Sequence, residues 1–330
     1  MRNVWKYFGV AALACAGFMF VNNTNLWVGD APGRPALLAH RGISQQFDRT
    51  NVSNDTCTAA QMLPPTHAYL ENTIASMQAS FAAGADIVEF DVHPTTDGAF
   101  AVFHDWTLDC RTDGHGVTRQ HAMTDLRQLD IGYGYTADGG KTFPFRGQGI
   151  GLMPSLDDVL AAFPTNSFLI NIKSNDPAEG RLLAEALRKL PAGPRNRLMA
   201  YGGDAPIATL RTALPDVRAM SRATLKSCLT GYIGYGWTGS VPAACKTTMV
   251  LVPINIAPWL WGWPDRFLQR LRDAGSPVFV IGPYHGGEFS AGMNTSADIS
   301  RLPEHFAGGI MTDEIEEVAP LLKRRDSKAR

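Results

Sequence analysis

Glu71-Asn72-Thr73, then Gly84-Ala85-Asp86-Ile87-Val88-Glu89-Phe90-Asp91-Val92, then Thr95-Thr96-Asp97-Gly98 and Val102-Phe103-His104-Asp105, is the stretch whose reading decides the fold. Within residues 87–92 the acids recur at every second position. In a β-strand they share one face, while Val88, Phe90 and Val92 share the other. Two neighbouring carboxylates repel each other unless a cation stands between them, and their oxygens suit a hard divalent ion. A strand end with two solvated acids is the plain alternative.

Working outward, Leu37-Leu38-Ala39-His40-Arg41-Gly42 reads as an apolar strand that delivers His40 and Arg41 to one rim, and residues 100–105 deliver His104 in the same way. The planar fork of Arg bonds two phosphate oxygens at once, and a pair of His can act as base and acid in phosphoester cleavage. Only His93, Pro94-Thr95-Thr96-Asp97-Gly98 and Ala99 separate Val92 from Phe100, too few residues for a parallel crossover. Residues 100–103 therefore return as a hairpin.

In order and spacing, His40-Arg41-Gly42, Glu71-Asn72-Thr73, Glu89-Phe90-Asp91, Asp97-Gly98, His104-Asp105 and Arg111-Thr112-Asp113-Gly114-His115-Gly116 resemble the glycerophosphodiester phosphodiesterases. The resemblance continues in Ile170-Asn171-Ile172-Lys173 and Gly309-Ile310-Met311-Thr312-Asp313, covering about residues 36–320. It implies a TIM barrel that hydrolyses phosphodiesters with one divalent cation, Ca²⁺ or Mg²⁺. It further implies that Glu89 and Asp91 bind the metal, His40 acts as base, His104 protonates the leaving alcohol, and Arg41 with Lys173 holds the phosphoryl oxygens. Glu71 would touch the metal or the glycerol hydroxyls, and a cyclic phosphate would be the first product. The sequence departs from the family at Asn171, where a Glu usually supplies a third metal-binding carboxylate. An Asn still offers one neutral oxygen.

The rest of the chain supports one barrel. At 330 residues, 45% hydrophobic and 18% charged, it can bury one large core. Strands at 36–40, 87–92, 168–173, 198–202, 218–221, 248–255, 278–282 and 309–312, with helices between, count to a closed α/β (β/α)8 barrel with rim insertions. His40, Glu89, Asp91, Asn171 and Lys173 then fall at the C-terminal ends of strands, where such barrels place their chemistry. A net charge of -1 and a pI near 6.7 give no reason to expect a nucleic-acid partner.

Three further segments frame the domain, expected over residues 36–322. Residues 1–35 carry Arg2 and Lys6 followed by an apolar run, which reads as an uncleaved membrane anchor or, if cut, a signal segment. Either way the catalytic part is exported, facing the periplasm on the inner membrane or released if the segment is cleaved. Residues 323–330 read as a basic tail. Apart from Cys15 there are four cysteines, which allow three pairings, and the nearest pairs, Cys57 with Cys110 and Cys228 with Cys245, are expected. Tyr133, Tyr135, Phe143, Phe145 and Arg146 either border a ligand or pack their own loop. Trp259, Trp261 and Trp263 follow a strand and are expected on the catalytic rim, to receive substrate, rest on a membrane or pack the loop. The expected substrate is a glycerophosphodiester. Rivals are a lysophospholipase D or sphingomyelinase D activity on lipids such as a lysophospholipid, and a phosphodiester-binding envelope protein without turnover.

Overall fold

Alternating apolar strands and capped helices build the molecule, and the computed structural model describes residues 2–29, 34–50, 52–53, 56–286 and 291–328. The strands are β1 (Ala36–Ala39), β2 (Ile87–Pro94), β3 (Phe100–Val102), β4 (Ser167–Ile172), β5 (Leu198–Gly202), β6 (Arg218–Ser221), β7 (Val250–Pro253), β8 (Val278–Ile281) and β9 (Gly309–Thr312). The helices are α1 (Arg2–Asn23), α2 (Ile74–Ala83), α3 (Met123–Leu126), α4 (Leu156–Ala162), α5 (Pro177–Arg188) and α6 (Ala192–Arg195). They continue with α7 (Asp204–Ala213), α8 (Arg222–Tyr235), α9 (Asp265–Asp273), α10 (Ser296–Ser300) and α11 (Ile315–Lys328).

Eight strands run parallel in the order β6-β5-β4-β2-β1-β9-β8-β7, and β3 returns antiparallel along β2 as the hairpin expected from the short connection. The barrel is nearly closed where the sequence implies full closure. Among the described residues no ladder joins β6 to β7, each only four residues long. Side chains span the seam instead: Thr248 Oγ1 donates to the Ala219 carbonyl at 2.7 Å and Arg218 Nε to the Gly275 carbonyl at 3.2 Å.

The period-two pattern of β2 sorts its two faces as expected. Phe90 meets Phe168 of β4 at 5.4 Å between centroids, and Phe168 in turn meets Phe81 of α2 at 5.6 Å. These rings fill the layer between sheet and helices, where truncation of a buried Phe to Ala costs about 3–5 kcal/mol. Helix α2 starts because Thr73 caps it reciprocally with Ser76, and it stops at Gly84, whose φ of 117° few other residues adopt.

Residues outside the barrel form two further parts. The excursion after β3 packs on itself around Leu108, Leu126, Tyr135, Phe145 and Met153. Arg146 lies over Tyr133 and Phe143 at 4.0 and 3.5 Å, and Tyr135 meets Phe145 edge-on, so these side chains pack their own loop. The disulfides Cys57–Cys110 and Cys228–Cys245 form as expected. Helix α1 stands off the barrel with its apolar side chains exposed. At the other end α11 runs through to Lys328, so the basic residues 323–328 continue a helix, and 329–330 lie outside the described residues. Residues 30–33, in the expected linker, also lie outside them.

Candidate active site

Strand register assembles the site. Asp91 of β2, Asn171 of β4 and Tyr201 of β5 are direct neighbours across three strands, and Glu89 lies two residues before Asp91 on the same face. Glu89 and Asp91 are both fully buried. Tyr201 Oη donates to Glu89 Oε1 at 2.7 Å, and Asn171 Nδ2 donates to Asp91 Oδ1 at 2.8 Å. Asn72 grips Asp91 twice: its Nδ2 donates to Asp91 Oδ2 and its Oδ1 accepts from the Asp91 amide, both at 3.1 Å.

Two backbone residues beside this pair lie in the left-handed region, Arg41 at φ 58° and Asn72 at φ 60°. Such conformations cost non-glycine residues energy and gather at functional sites. Here they turn the Arg41 amide onto Glu89 Oε2 at 3.1 Å and join the Asn72 amide to the Arg41 carbonyl at 2.9 Å. Gly42 follows at φ 78°, and a Cβ there would lie 2.5 Å from Ser76 Oγ, so the close approach of the strand end to α2 requires glycine.

Each histidine is held by a carboxylate. His40 Nδ1 lies 2.6 Å from Asp313 Oδ1 at the end of β9, and its Nε2 lies 3.7 Å from Glu89 Oε2. His104 Nδ1 lies 2.7 Å from Asp105 Oδ1, and Asp105 is bonded to the buried guanidinium of Arg111. Arg111 also donates to Thr58 Oγ1 at 2.6 Å and Tyr135 Oη at 3.1 Å. A carboxylate on Nδ1 fixes the ring and leaves Nε2 for the reacting atoms.

The charges are uneven. Burial and then Asp91 push Glu89 up to about 7. Burial works to raise Asp91 as well, but Lys173, His104 and Arg41 outweigh it and hold Asp91 well below the usual carboxylate range. Burial and Arg41 oppose a charge on His40, yet Glu89 and Asp313 raise it above its ordinary value. Burial, followed by Arg41, lowers His104 to about 4. The surroundings thus favour a charged imidazole at His40 and oppose one at His104.

Two cavities meet at these residues. One of about 550 Å³ is lined by His40, Arg41, Arg49, Glu71, His104 and Asp313 among others. Another of about 270 Å³ includes His40, Arg41, His104, Asn171, Lys173 and Tyr201. Arg41 sits in both, and its Nε, 3.4 Å from Asp91 Oδ2, makes no hydrogen bond among the described residues. Lys173 Nζ lies 3.5 Å from Asp91 Oδ1. A phosphate set between Arg41 and Lys173 would have both imidazoles on its walls.

For a cation the donor chemistry fits, with two differences from expectation. Glu89, pushed up to about 7 by burial and by Asp91, is the member of the pair that an added cation would relieve, and every candidate donor is oxygen. Among the described residues, however, no three His, Cys, Asp or Glu are grouped to hold a metal. Glu71 faces two guanidiniums, Arg41 at 3.4 Å and Arg111 at 3.4 Å, and Asn171 presents its amide nitrogen to Asp91. The tryptophan cluster lies elsewhere. Trp259, Trp261 and Trp263 line neither cavity; Trp261 Nε1 donates to the Ile233 carbonyl and Trp263 packs on Phe267 and Phe306, because the chain after β7 folds down against α8 and α9. Asp313, Asp105, Arg111, Asn72 and Tyr201 were not singled out from sequence. All but Tyr201 stand inside the matched motifs, and for Tyr201 the only signal was a polar tip on an otherwise apolar strand.

Comparison with known proteins accords with this geometry. A family model described as the glycerophosphoryl diester phosphodiesterase family matches residues 40–224. An uncharacterized protein of Bacillus subtilis (strain 168) is 26% identical over 292 residues, 87% of this chain and 98% of that protein. A Caldanaerobacter subterraneus glycerophosphodiester phosphodiesterase is 36% identical over 103 residues, 31% of this chain and 39% of that protein. Among solved structures, the glycerophosphoryl diester phosphodiesterase domain of an uncharacterized Mycobacterium tuberculosis protein superposes with a TM-score of 0.61 at 17% identity, covering 88% of this chain and 100% of that one. An Oleispira antarctica phosphodiesterase in complex with the product sn-glycerol-3-phosphate superposes at 0.54 with 16% identity, covering 88% and 97%. At these identities the superpositions speak for the fold.

Proposed function

Because this chain belongs to the glycerophosphoryl diester phosphodiesterase family, and is an enzyme of that class, we propose that it hydrolyses glycerophosphodiesters to an alcohol and glycerol phosphate with His40 and His104 as the proton-transfer pair. The observation that carries the reading is the pair of carboxylate-held imidazoles lining the same cavities as Arg41. Glu89 and Asp91, with the amide oxygen of Asn171, would hold one Ca²⁺ or Mg²⁺. When bound, the cation supplies charge neutralisation at the phosphoryl oxygens. Arg41 and Lys173 grip the remaining oxygens and fix the diester for attack by its own glycerol hydroxyl. One imidazole takes the proton of that hydroxyl, the other gives one to the departing alcohol, and water then opens the cyclic phosphate with the two exchanged. The catalytic domain, residues 36–322, is exported and held to a membrane through residues 1–35.

On the resemblance, His40 is the base and His104 the acid. The electrostatics favour a second reading with these roles exchanged, since the surroundings favour a charge on His40 and oppose one on His104. A leaving-group test separates them. Each His→Ala variant should lose at least about 10²-fold in kcat on glycerophosphocholine. With a glycerophosphodiester of p-nitrophenol, which departs without a proton, the variant lacking the acid should recover most of its loss and the variant lacking the base none. Near-wild-type turnover of glycerophosphocholine by either variant would sink the mechanism. Turnover of lysophosphatidylcholine or sphingomyelin in preference to glycerophosphocholine would move the substrate to lipids.

A further inference from the structure

The end of α1 is bonded into the barrel. Asn22 and Asn23 each donate through Nδ2 to the Trp237 carbonyl, at 3.1 and 2.9 Å, and Asn25 donates to the Trp263 carbonyl at 2.9 Å while accepting from the Arg266 amide at 3.0 Å. Arg270 of α9 closes the socket. Its guanidinium reaches Asn23 Oδ1 at 3.0 Å and the Asn22 carbonyl at 2.7 Å, and is itself fixed by Tyr232 Oη and the Gly236 carbonyl, each at 3.0 Å. Space is made by Gly239, at φ 88°, where a Cβ would meet Asn22 Nδ2 at 2.9 Å. Phe18 packs edge-on to Trp237, with centroids 6.3 Å apart. Six side-chain bonds and a ring contact hold a segment that a flexible tether would leave free.

Ahead of the socket, residues 5–18 of α1 are exposed. In Trp5–Asn23, 19 residues, none is fully buried, only Met19, Asn22 and Asn23 are half-buried, and no Asp, Glu, Lys or Arg occurs from Tyr7 to Gly29. At about 1.5 Å per residue this is about 28 Å of helix, close to the roughly 30 Å hydrocarbon layer of a bilayer. Arg2 and Lys6 precede it, and Trp5 and Trp27 stand at its two ends. No turn is left over between the apolar span and the socket, so the barrel surface around the socket comes to the level of the lipid headgroups. Trp27 packs beside Phe20 at 6.5 Å, and Trp259, 70% exposed, rides on the loop whose Trp263 receives Asn25.

We propose that the Asn22–Asn25 collar, locked into the Arg270 socket, seats the barrel rigidly on a phospholipid bilayer, with Trp27, Trp237 and Trp259 in the headgroup layer. This rests on the reading of residues 1–35 as a membrane anchor, and it gives the exposed part of the tryptophan cluster an interfacial task apart from catalysis. Helix α8 and the socket flank the β6/β7 side of the barrel, and α2 lies on the opposite side, so Gln78 of α2 serves as the control position.

The test uses the full chain with Cys15→Ala, reconstituted into phosphatidylethanolamine/phosphatidylglycerol vesicles. An environment-sensitive fluorophore is placed at Trp259→Cys or at Gln78→Cys. The expected result is flotation that survives alkaline carbonate, a blue shift with at least twofold brighter emission at position 259, and no change at 78. Arg270→Ala, and separately the triple change Asn22→Ala, Asn23→Ala, Asn25→Ala, should abolish the shift at 259 while the chain still floats and turns over soluble glycerophosphocholine normally. Loss of flotation overturns the anchor and the seat together. Flotation without a shift at 259, or a shift that survives both sets of substitutions, overturns the seat and leaves the anchor standing.

Discussion

At the scale of single residues, the barrel interior is a contest over Asp91. Asn171, Asn72, Arg41 and Lys173 all turn toward its two oxygens, while Glu89 has Tyr201, the Arg41 amide and, at 3.7 Å, His40 Nε2. Replacing Asn171 with Glu removes a donor and adds a third buried acid. Asn171→Glu should therefore melt below wild type in chelator, yet bind Ca²⁺ at least about tenfold more tightly and gain more in Tm from it. Equal Ca²⁺ shifts in the two proteins would mean that position 171 is no ligand. Asp105 offers a test in pH. Burial opposes its charge, but Arg111 and His104 outweigh burial and hold its carboxyl below the ordinary 3.8. A depressed carboxylate contributes stability above its unfolded pKa and loses it as pH falls through the folded one. Asp105→Asn, which strips the buried Arg111 of a charged partner, should cost about 3–5 kcal/mol at pH 7. Its deficit in urea midpoint should shrink as pH drops below about 3.8, and a deficit that stays constant from pH 7 to pH 3 would exclude that linkage. The spacing of two acids on β2 and two His at strand ends is visible in sequence because chemistry-bearing residues sit at fixed offsets. The φ of 58° at Arg41 and the Tyr201 bond to Glu89 are not, because both depend on strands that meet only in the fold.

At the scale of elements, the two disulfides divide the labour. Cys57–Cys110 ties the insertion after β1 to the loop that carries Arg111, and the neighbouring Thr58 accepts from Arg111 at 2.6 Å. Cys228–Cys245 ties α8 to the turn before β7, away from both histidines. Closing loops of 53 and 17 residues, each bond should contribute about 2–4 kcal/mol. Removing the first pair by Cys→Ser should lower both Tm and kcat, because Arg111 then holds Asp105 and so His104 less firmly. Removing the second should lower Tm alone. Equal losses of kcat from the two double variants would show that the first disulfide does nothing for the His104 side. The sequence reads as helix over residues 72–83 and 156–163, and α2 and α4 lie within two residues of these bounds, each started by a local cap, Thr73 or Ser155. The post-β7 segment does not follow its sequence reading. Following a strand directed it to the rim, whereas the bond from Trp261 to Ile233 draws it down the flank, a tertiary preference that no local pattern carries.

At the scale of the whole molecule the barrel has a strong side and a weak one. Ladders run unbroken from β6 through β2 and β1 to β7, and the catalytic groups sit on β1, β2, β4 and the end of β9, in the middle of that run. Eight strands could be counted from sequence, but the quality of the last pairing could not, since closure depends on the twist accumulated over all of them. At the open seam Thr248 is fully buried and its hydroxyl shares the Ala219 carbonyl with Arg211, at 2.7 and 2.8 Å. Thr248→Val keeps the shape and removes one of those bonds, which should cost about 1 kcal/mol. Because local opening begins where backbone pairing is absent, amides of β6 and β7 should exchange with solvent faster than those of β1 and β2 in the wild type. The substitution should widen that gap while leaving kcat on glycerophosphocholine within about twofold, since no catalytic group touches the seam. Protection of β6 and β7 equal to that of β1 and β2 would mean that the side-chain bridges close the barrel as firmly as a ladder does.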